Sequence, residues 1–273
     1  QWTDSIEDEA VRKAAERGTI VTGGCIASML MGDPVNDFDI YFKDEATCLA
    51  VGSYYVDRFV KTTGHGMMID NTDGRIRIVT EFGHRGETAG EPIADSGEIE
   101  DLYDGLSEQA LEVVSEGDPK YRPVFMSTNA ITLSDKVQLV LRFYGEPDKI
   151  HENYDFVHCT NYWTSFENKL VLRQAALEAI LSRELKYVGS KYPVCSVIRL
   201  RKFIKRGWVV NAGQILKMMM QVSELDLTDP AVLEDQLTGV DSAYFSQMIS
   251  QLREKCPEKV CASYLVEIVD RMF

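Results

Sequence analysis

No stretch of this 273-residue chain stays apolar over the ~18 residues that a helix needs to cross a bilayer, so no membrane partner is expected. The first residues, Gln1-Trp-Thr-Asp-Ser5, lack a basic segment followed by an apolar one, so no secretory signal is expected. A start on Gln in place of Met fits a processed or trimmed chain. Histidine is scarce: His65, His84, His151 and His158 are spaced unlike any metal-ligand set. Paired cysteines are missing too. Cys25, Cys48, Cys159 and Cys195 sit mostly in apolar runs, and Cys256 and Cys261 have no nearby His or second pair to complete a zinc site. Reduced, mostly buried thiols predict a cytoplasmic setting. Positive charge is in deficit, with 29 Lys and Arg against 43 Asp and Glu, a net charge of −14. That argues against a protein that coats nucleic acid without specificity.

The deficit is uneven. From Glu87 to Asp118 there is no Lys or Arg, and from Lys186 to Trp208 there is no Asp or Glu. The second stretch reads either as a basic binding helix or as a solvated helix face. A 45% hydrophobic fraction supplies a sizeable core for one large domain or two small ones.

Residues 5–17 read as an amphipathic helix, Thr19–Thr22 as a short β-branched strand, and Cys25–Met31 as a helix after the Gly23-Gly24 break. Phe38–Phe42 reads as a strand, and Asp44 can cap a helix running to about Arg58. Met67–Asp70 and Arg75–Phe82 read as a hairpin around Asp73-Gly74. An acidic insertion covers about 83–119, with a short helix near Leu106–Val114. Pro123–Leu133, Val137–Phe143 and Tyr154–Cys159 read as strands, with a helical turn at Pro147–Asn153. Helical periodicity then takes over at 173–185, 194–206, 211–224, 229–237, 241–255 and 258–272. The expectation is an α+β plan: a mixed-sheet core over 1–165 and a helical region over 166–273.

The segment 18–42 carries the chemistry. A strand, a Gly-Gly turn and a helix start bring bare amides together where an anion can approach. The next strand carries Asp37 and Asp39. Residues two apart in a strand share a side, so two carboxylates stand together while Phe38 faces the other way. Such a pair repels, and a hard divalent cation relieves it.

Gly23-Gly24, a spacer of twelve residues, then Asp37-Phe38-Asp39-Ile40 resembles the signature of the DNA polymerase β-like nucleotidyltransferase superfamily. The resemblance implies a palm-like mixed sheet, Mg²⁺ as cofactor and a nucleoside triphosphate, ATP foremost, as substrate. It implies that Asp37 and Asp39 are catalytic metal ligands and that Gly23, Gly24 and Ser28 contact the phosphates. A third carboxylate is expected on a later strand. Asp155, in Tyr154-Asp-Phe-Val-His-Cys159, fits best as catalytic residue and metal ligand, with Glu81 the runner-up. Lys43 could reach a phosphate, or be a plain surface lysine.

A weaker resemblance concerns the acceptor. Phe125-Met-Ser-Thr-Asn-Ala-Ile131 is similar to a Phe-Thr-x-Asn-Ala motif of CCA-adding enzymes and related poly(A) polymerases, and Pro193–Trp208 to their Arg-rich helix. It implies that Arg199 and Arg201, with Lys202, Lys205 and Arg206, face a triphosphate or an RNA (tRNA) acceptor strand. No Arg-Arg-Asp precedes Phe125, and the paired-Arg base-reading motif is not evident. The expected function is Mg²⁺-dependent transfer of a nucleoside monophosphate to a hydroxyl acceptor. The alternative is a catalytically silent nucleotidyltransferase fold that binds or assembles. A metal-dependent phosphohydrolase is disfavoured by the lack of spaced histidines.

Overall fold

The computed structural model describes residues 1–64, 66–72, 74–80 and 119–237. Glu81, most of the acidic insertion, His65, His84, Asp73, Cys256, Cys261 and the helices expected at 241–255 and 258–272 lie outside the described residues.

The described chain is α+β, as expected, with a mixed seven-stranded sheet followed by helices. Helix α1 (Glu9–Gly18) starts at Asp8, whose carboxylate accepts the amides of Ala10 and Val11, a standard way to satisfy first-turn donors. It leads directly into β1 (Thr19–Thr22). Helix α2 (Gly24–Met31) follows after Gly23 alone and buries Cys25, Ile26 and Ala27. Strand β2 (Phe38–Phe42) precedes the long α3 (Glu45–Thr63), capped by Asp44 as expected.

Strands β3 (Met67–Asp70) and β4 (Arg77–Thr80) form a separate antiparallel hairpin. The expected strand 123–133 is two strands, β5 (Pro123–Met126) and β6 (Ala130–Leu133), turned back by Ser127–Asn129. The Ser127 hydroxyl takes the Ala130 amide and fixes that turn, a local hydroxyl-to-backbone bond that strand periodicity does not reveal. After β7 (Val137–Tyr144) and the one-turn α4 (Pro147–His151) come β8 (Tyr162–Thr164) and β9 (Lys169–Val171). The sheet therefore runs past residue 165. Helices α5 (Gln174–Ser182), α6 (Pro193–Lys205), α7 (Ala212–Ser223) and α8 (Pro230–Leu237) complete the described chain.

Strand order is β5-β6-β7-β2-β1-β8-β9, and only β2 and β7 run parallel. Alternation sorts the central strands into two faces. Ile40, Phe42, Leu139 and Leu141 face α3, packing on Val51 and Tyr55, and all six are at most 4% exposed. Tyr41, Ile20 and Val140 cluster with Ile150 on the other face. At ~1.5–3 kcal/mol for each large apolar side chain buried, these two layers hold the sheet rigid. A third cluster joins sheet half to helical half: Ala27 of α2 and Phe156 pack with Ile180, Trp208 and Met218. Met218 alone of the run Met218–Met220 is core. Met219 and Met220 are 59% and 68% exposed, because one residue per turn of α7 reaches α6.

No described helix is long and apolar enough to cross a membrane.

Candidate active site

The site begins where β1 ends. Gly23 adopts φ 95° and ψ −158°, a conformation that essentially only glycine takes. Its amide donates to the Cys159 carbonyl, which pins the corner to the chain after α4. A Cβ on Gly23 would lie 2.5 Å from the Asp39 Oδ2, so the carboxylate sits directly over the bare α-carbon. Gly24 has open space around it, and no side chain caps the N-terminus of α2. A helix start whose N-cap residue offers no side-chain acceptor is a common seat for an anion.

Asp39 lies opposite Thr22 in β1 and Gln138 in β7, half-buried on the Tyr41 face. Asp37, exposed, immediately precedes β2. Both charges bear on the Cys25 thiol in the first turn of α2. Burial first, then Asp39 and Asp37, push that thiol up to about 12. The two carboxylates therefore share the neighbourhood of the glycine corner.

Asp155 is differently placed. Tyr154–Cys159 is not a strand: Phe156 makes one isolated bridge to Tyr187, and Val157–Cys159 form a 3₁₀ turn. The aromatic and branched residues that suggested a strand are there because the segment is buried, with Phe156 and His158 at 0% and 1% exposure. Asp155 is buried beside them and ion-paired with Arg199 of α6. Asp155 and Asp39 both help hold the Cys159 thiol far above its ordinary value, after burial itself. Among the described residues no group of three or more His, Cys, Asp and Glu is arranged to hold a metal ion. Magnesium binds through one or two carboxylates completed by waters and substrate phosphates. Asp37 and Asp39 beside the uncapped α2 fit that requirement, whereas Asp155, with its charge matched by Arg199, does not join them.

The expected cations need correction as well. Lys43 follows β2 at the end away from Asp39, four residues on, or ~13 Å along a strand. It pairs with Glu146 at 3.5 Å and lies 4.2 Å over the Phe166 ring, so it is no phosphate contact. Arg199 is taken by Asp155, and Arg201 does not line the cleft described next. Ser28 does. It borders a cleft of about 310 Å³ between α2 and the C-terminal end of α6, shared with His158, Arg183, Lys205, Arg206 and Trp208. Of the basic helix, then, only its last residues meet the glycine corner's helix.

Sequence reasoning passed over three polar groups here. The Thr22 hydroxyl contacts His151 Nε2 at 2.8 Å and donates toward the Cys159 and Asn161 carbonyls, bracing the strand position opposite Asp39. His158 borders the cleft, and burial lowers it to about 4 despite the Asp155 charge, so it is neutral at pH 7. His151 is lowered to about 4 chiefly by burial as well. Two histidines within one short acidic-aromatic stretch were the available signal.

A protein-family model described as Gabija anti-defense 2 family protein matches residues 1–183, about two thirds of the chain. The chain belongs to the Gabija anti-defense 2 family. A curated member, Gabija anti-defense 2 of Bacillus phage SPbetaL7, is 17% identical over 122 residues, which cover 44% of this chain and 30% of that protein. The family match takes in the glycine corner, Asp37, Asp39 and Asp155, and ends before α6. Among solved structures, the Thermotoga maritima CCA-adding enzyme complexed with tRNA aligns at TM-score 0.43 and 10% identity, covering 96% of this chain and 56% of that one. The Bacillus stearothermophilus CCA-adding enzyme in complex with CTP aligns at TM-score 0.38 and 10% identity, covering 90% and 50%. The chain thus spans under a third of the curated relative and about half of these enzymes.

Proposed function

We propose that this chain is a Mg²⁺-dependent nucleotidyltransferase that moves a nucleoside monophosphate from a nucleoside triphosphate, ATP foremost, to a hydroxyl acceptor. One observation carries the reading: the Asp39 carboxylate lies over Gly23 at a distance that any side chain at position 23 would obstruct, beside Asp37 and an uncapped helix start. Strained backbone of this kind is kept where surrounding structure over-determines it, and such places cluster at functional sites.

Asp37 and Asp39 would hold the metal, which when bound neutralises phosphate charge and polarises the reacting phosphorus. Gly23 and Gly24 leave the α2 amides bare for phosphate oxygens, and Ser28 adds a hydroxyl one turn along. The acceptor oxygen forms a bond to the α-phosphorus, and the bond from that phosphorus to the bridging oxygen breaks. Pyrophosphate leaves with the electron pair, and the hydroxyl proton passes to a carboxylate or to solvent. A part for Asp155 as base or ligand requires that Arg199 release it. An RNA 3′ end is one acceptor the basic face of α6 suits, through the exposed Lys202 and Lys205.

The test is incubation with Mg²⁺ and each α-labelled triphosphate, with and without total tRNA, followed by the same assay on Asp39→Asn. Label transfer that is lost in the variant supports the reading; transfer that is indifferent to Asp39 refutes the site.

The Asp155–Arg199 pair favours a second reading. If it never opens, the chain is a catalytically silent member that counters a Gabija defense by binding. Triphosphate binding without transfer to any acceptor, and an Asp155→Asn variant that changes nothing but stability, would single out that reading.

A further inference from the structure

At the end of the α2–α6 cleft where α6 closes, His158 is a group that the expected site does not use. His158 is 1% exposed, and its Nδ1 has no hydrogen-bond partner. Its Nε2 lies 3.2 Å from the Cys159 Sγ. With the protonated Cys159 thiol as donor to Nε2, the ring hydrogen is on Nδ1. The ring cannot turn away: Trp208 packs on it at 4.2 Å between centroids and Phe203 meets it edge-on at 4.8 Å. Arg206 Nη2 is likewise shielded from water and unpartnered. A buried donor without an acceptor is destabilising, and more so when charged. Two of them bordering one cleft indicate an acceptor that belongs there. Around them stand three cations, Arg183, Lys205 and Arg206, against one carboxylate, Asp33, which pairs loosely with Arg183 at 3.5 Å.

We infer that this end of the cleft is an oxyanion seat for the triphosphate of the nucleotide substrate, formed by His158 Nδ1–H, Arg206 and Lys205 across from Ser28. The inference rests on the transferase reading for the identity of the ligand. It replaces Arg199 and Arg201 as the cationic wall with the residues that close α6. The chemistry follows from the donors. A neutral ring N–H fixed by stacking gives direction, Arg206 gives charge-assisted bonds to phosphate oxygens, and Lys205 gives a movable point charge. A phosphate run beginning at the amides of α2 would be met one turn later by Ser28 and these groups.

The probe is inorganic tripolyphosphate, titrated calorimetrically into the full chain without divalent metal. His158→Phe keeps the ring contacts and removes the donor; Arg206→Gln removes the charge. Each is expected to weaken binding roughly tenfold or more. His158→Gln, which restores an N–H, is expected to recover much of it. Should His158→Phe fail to fold, Arg206→Gln and Lys205→Gln, the latter at an exposed position, carry the test. Wild-type affinity in both cleft variants, or no tripolyphosphate binding by the wild type, overturns the seat. Label transfer that persists in Arg206→Gln at unchanged KM also overturns it and leaves the transferase reading standing. Tripolyphosphate bound by the wild type and lost in the variants, with no transfer to any acceptor, upholds the seat while the transferase reading fails.

Discussion

Adding one methyl group at position 23 separates the two things Gly23 does. The backbone there, φ 95° and ψ −158°, is glycine territory, and forcing alanine into it costs of order 1–3 kcal/mol. The new Cβ would also sit 2.5 Å from Asp39 Oδ2, where ordinary contact begins at 3.4 Å, so the carboxylate must retreat by about 0.9 Å. Metal ligands tolerate errors of only ~0.2 Å, and a displacement of ~1 Å at a reacting centre can cost about 10²-fold in rate. Gly23→Ala should therefore melt roughly 3–10 °C below wild type and lose about 10²-fold or more in label transfer. Gly24→Ala is the matched control. A Cβ there meets nothing within 4 Å, and alanine suits a helix start better than glycine, so stability should hold or rise slightly. Only nucleotide affinity should fall, because the methyl enters the space meant for phosphate. Differential scanning fluorimetry and the labelled-triphosphate assay read both effects. A Gly23→Ala protein that melts and transfers like wild type would show that Asp39 is not held against that corner, and the site would fall with it.

Breaking the part-buried pair from one side, with Asp155→Asn or Arg199→Met, should cost about 1–3 kcal/mol by urea denaturation, and the double variant less than the two losses added together. Additive losses would mean that the two groups do not interact. His151 and His158 are held near 4 in the fold against about 6.5 unfolded, so the unfolded chain binds more protons below that value. Stability is intact above pH ~6.5 and should fall toward pH 4 by ~1.4 kcal/mol per pH unit for each histidine, with His158→Gln flattening the curve by one; a flat profile over that range contradicts their burial as neutral rings. Thr22→Val removes a hydroxyl shared by His151 and two carbonyls, and thermal melts should show a loss of about 1–3 kcal/mol.

What was legible in the sequence was whatever had a local cause. Asp44 announces a helix start because a short carboxylate answers first-turn amides, and it does so. The Asp37–Asp39 spacing followed from the two-residue strand repeat, and Asp39 points where that repeat puts it. What was not legible had a distant cause. Tyr154–Cys159 looked like a strand because burial selects the same residues that strands do, and its burial comes from Tyr187, Phe203 and Trp208, which lie 30 to 50 positions away. His158 was weighed by its spacing from other histidines, which says nothing of a ring buried in a 3₁₀ turn. The basic run 199–206 showed its charge, but the helix period alone cannot say which end of α6 meets α2, and only that decides between Arg199 and Arg206.

The site is a product of two halves with different ties to the family. The family match ends at residue 183, so the glycine corner, Asp37, Asp39 and Asp155 fall inside it, while Arg199, Lys205, Arg206 and Trp208 fall beyond. Without α6, Asp155 would lack the cation that matches it, and its charge and that of Asp39 would both bear on the Cys159 thiol, an arrangement that resists an incoming triphosphate. Helix α6 supplies the balance twice over, through Arg199 on Asp155 and through the cations at the cleft. On the proposed transferase reading, the affinity of the corner for a nucleotide would be set by how α6 is seated, and that seat is the Phe156–Trp208 packing between the halves. Loosening this packing, as Trp208→Ala would, should raise the KM for triphosphate while leaving the Asp37–Asp39 pair where the sheet places it.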